Sequence, residues 1–140
     1  SPGRPVILVT ASLMILMTSF QTISPQSKAV KKAIGRWRIT SMVIWDNDFM
    51  DAEVPAHITI HKNMQGDFQF GFVQGEIDGR TSQEGDLVII DFSWSGFDEN
   101  DPASGRGWMQ ISGNTGTGCF YFHMGDESDF TVIREDLPAN

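Results

Sequence analysis

The chain has very little sulfur chemistry available. Among its 140 residues there is one cysteine, Cys119, so no disulfide closes within the chain. No CxxC and no His–Cys grouping suggests structural zinc. Histidine is limited to His57, His61 and His123, and tyrosine to a single residue. No stretch reaches the roughly 20 consecutive apolar residues that a helix needs to cross a bilayer. The longest mainly apolar run, Val6 to Phe20, spans 15 residues and is interrupted by Thr10, Ser12, Thr18 and Ser19. Basic residues are also few, ten Lys and Arg against 18 Asp and Glu.

The scarcity of cations is uneven along the chain. Residues 1–35 hold Arg4, Lys28, Lys31 and Lys32 and no acid, whereas every acid lies between Asp46 and Asp136. From Arg36 onward, six cations therefore face all 18 acids. Such a surface repels phosphate backbones and anionic lipid, which argues against nucleic acid as a partner. A cationic ligand or a basic partner suits the field.

The Val6–Phe20 run has the length of a signal-peptide core, and Ser27-Lys28-Ala29 offers a small-x-small cleavage pattern. Residues 1–29 are thus a candidate signal peptide, which implies a periplasmic or secreted protein if it acts as one and a cytoplasmic protein if it does not. The stretch "QTISPQSKAVKKA" reads as a polar linker. The expected organisation is an N-terminal segment over residues 1–34 and one folded domain over 35–140.

Within that domain the apolar residues recur with a period of two. "WRITSMVIW" sets Trp37, Ile39, Val43 and Trp45 on one face, and "DFQFGFVQGEID" aligns Phe68, Phe70 and Phe72, with Gly71 and Gly75 as bend points. "AHITIH", "LVIIDFSWS", "GWMQIS", "GCFYFH" and "FTVIRE" complete seven strands, or eight if the long third one breaks at Gly75. Helix is limited to a turn in "DNDFMDAE". Short connections favour antiparallel neighbours. The expected fold class is all-β, a small antiparallel meander barrel of seven or eight strands, with a β-sandwich as the alternative.

"GRWRI", where Gly35-Arg36-Trp37 opens the first strand, resembles the G-x-W start of the calycin group of lipocalins, fatty-acid-binding proteins and avidins. The resemblance implies a calycin-like barrel in which a late arginine packs over the tryptophan, and Arg134 in "FTVIRE" stands at the matching place. The second lipocalin motif and the avidin biotin-binding pattern are absent. From "GRWRI" through "GRGW" to "FHMGDES", the chain also resembles a family of small uncharacterised bacterial proteins, which implies no activity.

The segment "SGFDENDPASGRGW" concentrates candidate functional residues between two strands. Its Asp98, Glu99, Asn100 and Asp101 read as a loop, with Arg106 placed to clamp one of the carboxylates or to bind an anion. Trp94 and Trp108 flank it. Two further acidic loops, around Asp46–Glu53 and Asp126–Asp129, match no calcium loop, so no metal is expected, and whether the three loops converge is open. His123 stands near Asp126, a pair with general-base chemistry. His57 and His61 share a strand face opposite Ile58 and Ile60, which places them outside and too far apart to chelate one ion. Ser93 lacks the G-x-S-x-G frame, because Asp91 occupies the first glycine position, and "GNTGTG" lacks the lysine of a P-loop. No cofactor is expected. Cys119 reads as buried and inert, and the alternating phenylalanines read as core.

Three functions remain open at this level. The leading one is a small-molecule binding module for a hydrophobic or cationic ligand, using Trp94, Asp98, Glu99, Asp101, Arg106, Trp108 and His123 at the barrel mouth. The others are an acid/base enzyme built on His123 and Asp126, and an acidic protein–protein interaction module.

Overall fold

The computed structural model describes residues 28–135. The apolar run Val6–Phe20, and with it the body of the candidate signal peptide, lies outside the described residues. A short helix, α1 (Lys28–Lys32), leads into eight strands: β1 (Gly35–Met42), β2 (His57–Ile60), β3 (Gln65–Phe70), β4 (Val73–Glu84), β5 (Leu87–Asp98), β6 (Asp101–Ser112), β7 (Thr115–Phe122) and β8 (Glu127–Arg134). One further helical turn, α2 (Asn47–Met50), lies between β1 and β2. Each strand pairs antiparallel with the next, and β8 returns to β1, so the meander closes into a barrel. Closure leaves no free sheet edge.

The eighth strand comes from a turn at Gly71-Phe72 rather than a break at Gly75. Gly71 adopts φ 59, a left-handed conformation that glycine enters without steric cost, and Val73 returns opposite Phe70. Phe72 therefore leaves the inward face that Phe68 and Phe70 share and is exposed. The same kind of change occurs in β1. An extra residue between Ile39 and Ser41 breaks the alternation, so Met42 is buried while Val43 points to solvent.

The barrel is packed along its axis. Phe120 is fully buried, and its ring centroid lies 4.8 Å from Phe68, 4.9 Å from Phe130, 5.1 Å from Phe70 and 5.7 Å from Phe92. Tilted and edge-on ring pairs of this kind add about 0.5–1.5 kcal/mol each beyond the area they bury. Aliphatic side chains including Ile39, Ile58, Ile90 and Ile111 complete the core. The aromatic alternation seen in the sequence is thus core, not the lining of a hollow barrel.

Because every strand reverses direction, the connections after β1, β3, β5 and β7 gather at one end, here called the upper end. The connections after β2, β4 and β6 gather at the lower end together with α1. Val30 and Ala33 are buried there, so the core draws on residues preceding Gly35, within the stretch that composition marks as linker. Trp37 fastens this segment: its indole Nε1 donates to the Ala33 carbonyl at 2.9 Å.

Candidate functional site

The segment 95–108 is not a loop. β5 runs to Asp98, β6 starts at Asp101, and only Glu99 and Asn100 turn between them, Glu99 with φ 58. Asp98 and Asp101 face each other across the hairpin. Strand pairing places Arg106 five residues down β6, opposite Ser93 and Tyr121, at roughly 3.4 Å per residue from the turn. It makes no ion pair among the described residues, so the expected carboxylate clamp does not form.

The two tryptophans face opposite ways. Trp94 points into the core, 3% exposed, and its Nε1 donates to the Tyr121 carbonyl at 3.2 Å. Trp108 lies on the outer face of β6, half-buried and opposite Cys119. They do not flank a common entrance. The strand alternation explains this, since residues an even number apart share a face only while the strand stays regular, and the hairpin turn lies between these two.

Strand parity resolves the acidic loops. With the Gly71-Phe72 turn counted, the segments around Asp46–Glu53, Asp98–Asp101 and Asp126 all belong to the upper end. Part of the first is structural: Asp46 caps α2 by accepting from the Phe49 amide at 2.9 Å. Asp51 accepts from the Ala56 amide and pairs with Arg38 at 3.0 Å. His123 and Asp126 are both exposed and form no ion pair, because the β7–β8 turn is held by backbone bonds, Phe122 N–H to the Asp126 carbonyl and Gly125 N–H to the Phe122 carbonyl. The general-base pairing expected of them is therefore absent. Among the described residues no group of three His, Cys, Asp or Glu is arranged to hold a metal.

The most site-like feature lies elsewhere, on the outer face of β2–β6. Two cross-strand rows line it. The first is His57, Gln69, Gln74, Phe97 and Pro102, each opposite the next. The second is Asp67, Glu76, Ser95 and Ser104, extended by His123, whose backbone N–H donates to the Ser104 carbonyl at 2.8 Å. Together they border an open groove of about 910 Å³. A second hollow of about 490 Å³ shares Asp67, Glu76 and Ser95 and reaches His61 and Asp78.

A barrel's outer face is normally convex, so the groove needs a cause. On the inner side of the same rows, Phe68 faces Gly75, Gly75 faces Gly96 and Gly96 faces Ala103. Gly75, Gly96 and Ala103 are among the smallest residues available, so they place little side-chain bulk beneath the groove. A Cβ on Gly96 would lie 1.9 Å from the Gln74 carbonyl oxygen.

The groove's electrostatics are lopsided. Asp67 and Glu76 stand directly opposite each other across β3 and β4, and among the described residues no Lys or Arg lines the 910 Å³ groove. Asp67 has His57 Nε2 at 3.8 Å and His61 Nε2 at 3.6 Å, contacts that become ionic only when the imidazoles are protonated. The two histidines thus approach one carboxylate, nearer each other than strand spacing alone implies. Glu76 has no ionic partner among the described residues. Of the groove residues, sequence reasoning named only His123 as a ligand contact. The others alternate with core residues and read as ordinary solvated positions.

No protein-family model, no curated protein and no solved structure matches this chain. The geometry defines an all-β, closed eight-stranded barrel with an open polar groove on its wall. No helix among the described residues is long and apolar enough to cross a membrane.

Proposed function

We propose that this domain is a binding module for a small organic cation, held in the outer groove rather than in the barrel interior. The observation that carries the reading is the Asp67–Glu76 pair. Like charges directly opposite on a sheet are destabilising by a few tenths of a kcal/mol or more, and a bound cation relieves that repulsion. The groove's size falls within the range of small-molecule sites, about 300–1,000 Å³. Phe97, half exposed, and Pro102 supply an apolar wall for the hydrocarbon part of the ligand. Ser95, Ser104, Gln69 and Gln74 supply orienting hydrogen-bond groups.

The calycin resemblance supports a ligand-binding reading, and the packed axis favours the wall of the barrel over its interior for the ligand. Titration calorimetry with spermidine and with tetramethylammonium as probes tests the proposal. At least one probe is expected to bind, and Asp67→Asn with Glu76→Gln is expected to weaken it tenfold or more. Binding that ignores both substitutions would refute the assignment. So would the absence of binding by either cation at low salt.

A further inference from the structure

The upper end of the barrel combines a high density of acids with most of the large exposed hydrophobics among the described residues. Residues 43–56, 71–72, 97–102 and 122–128 contain nine acids and no Lys or Arg. The lower end instead gathers Lys28, Lys31, Lys32, Arg36, Lys62 and Arg134 against three acids, Glu84, Asp86 and Glu135. The same upper end carries five of the seven large exposed hydrophobics among the described residues: Val43, Ile44, Phe72, Phe97 and Met124. Met124 is 93% exposed and Val43 73%. A solvated loop gains nothing by presenting such side chains, whereas an interface core does.

The apolar residues are held in position. The Ser128 hydroxyl, itself buried, accepts from the Val43 and Ile44 amides at 3.1 and 3.2 Å, so these two side chains project from a fixed backbone. Phe72 packs edge-on against Phe49 at 6.1 Å, Phe49 stacks on Trp45 at 5.9 Å, and Trp45 meets Phe122 at 6.0 Å. This aromatic row links three of the segments at the upper end and packs against the exposed Phe72. The Glu99 amide donates to the Phe72 carbonyl at 2.8 Å, tying two of the turns together. Met124 is held at φ 56, a conformation that bulky residues rarely adopt and that recurs at binding sites.

From this juxtaposition we infer that the upper end docks a polypeptide partner whose apolar centre is ringed by Lys and Arg. Charge complementarity selects that partner: a basic rim meets the acids of three loops while its apolar residues cover Val43, Ile44, Phe72 and Met124. Among the described residues a second copy is the poorer occupant, because of the remaining exposed large hydrophobics, Tyr121 and Ile133, only Ile133 lies towards the lower end. Phe97, Pro102 and His123 border both surfaces, but the inference does not rest on the groove's acids Asp67 and Glu76, which lie on the strands of the wall.

Fluorescence anisotropy with three labelled synthetic peptides of equal length tests it: an amphipathic Leu/Lys helix former, a Ser/Lys peptide of the same charge, and a Leu/Glu peptide. The Leu/Lys peptide is expected to bind at least tenfold more tightly than either control, and more weakly as salt rises. Ile44→Ser combined with Met124→Ser is expected to reduce that binding at least tenfold while the circular dichroism spectrum is unchanged. Glu76→Gln should leave it as it was, which separates this site from the groove. Equal binding of the Ser/Lys and Leu/Lys peptides would overturn the inference. Unaltered binding by the double variant would do the same. Sedimentation showing a dimer that the double variant dissociates would reassign the surface to a second copy.

Discussion

The guanidinium of Arg134 lies over the indole of Trp37, with its central carbon 4.5 Å from the ring centroid, and the two residues are cross-strand partners where β8 closes on β1. The arginine also donates from Nη1 to the Ile34 carbonyl at 3.2 Å. One cation therefore joins the last strand, the first strand and the segment before it. Half-buried cation–π contacts contribute about 1–2 kcal/mol, and a side-chain hydrogen bond about 1 kcal/mol. Arg134→Ala is expected to lower unfolding stability by about 2 kcal/mol in urea titration, with Arg134→Lys restoring part of it. A loss within 0.3 kcal/mol of zero would mean that barrel closure does not depend on this contact.

The axis of the barrel makes a stronger claim. Phe120 touches four other phenylalanine rings and has no solvent exposure, so Phe120→Ala removes a whole ring from a site that cannot collapse easily. The expected cost is about 3–5 kcal/mol by chemical denaturation, a large share of a small domain's total stability. A cost below about 1 kcal/mol would show that the interior is loosely filled.

Gly96 ties stability to the shape of the groove. A methyl group at this position would lie 1.9 Å from the Gln74 carbonyl oxygen, so β4 and β5 must separate to admit it. Gly96→Ala is expected to cost about 2–3 kcal/mol and to weaken cation binding as the groove flattens. Melting curves and calorimetric titration of the same variant check both effects.

Cys119 is 2% exposed, and burial, reinforced by the nearby Asp129, raises its thiol pKa above the ordinary value of 9.0. Deprotonation therefore disfavours the folded state. The thiol's contribution to stability is intact below about pH 9 and is lost as pH rises further. The native protein is expected to resist iodoacetamide at pH 8 and to react fully once unfolded in guanidinium. Cys119→Ala should also show a shallower fall in stability above pH 9 than the parent.

Alternation carried most of the fold. Trp37, Ile39, Ile58, Ile60, Phe68, Phe70, Ile90 and Phe120 all face inward as a period of two requires. The departures came from single residues that alternation cannot register. The extra residue near Thr40 reversed Val43, and the Gly71 turn removed Phe72 from a series that continued unbroken in the sequence. That turn also reset strand parity, which decides whether the acidic loops share an end. The site was less legible. Asp67, Glu76, Ser95 and Phe97 become neighbours only through strand register, which also aligns Gly75, Gly96 and Ala103 beneath them across three strands. The segment 95–108 misled because its acids and glycines have turn composition. Two of those acids close a two-residue hairpin, and one of the glycines, Gly96, permits a close strand approach.

On this reading the filled barrel holds its ligand on its wall. Nuclear magnetic resonance mapping of the labelled protein during titration with spermidine tests it most directly. Saturable shifts are expected at Asp67, Glu76, Ser95 and the His57 and His123 imidazoles, with the Phe68 and Phe120 ring resonances almost unmoved. Shifts concentrated on the rings of Phe68, Phe120 and Phe130, with the outer rows unaffected, would place the ligand inside the barrel and contradict the account.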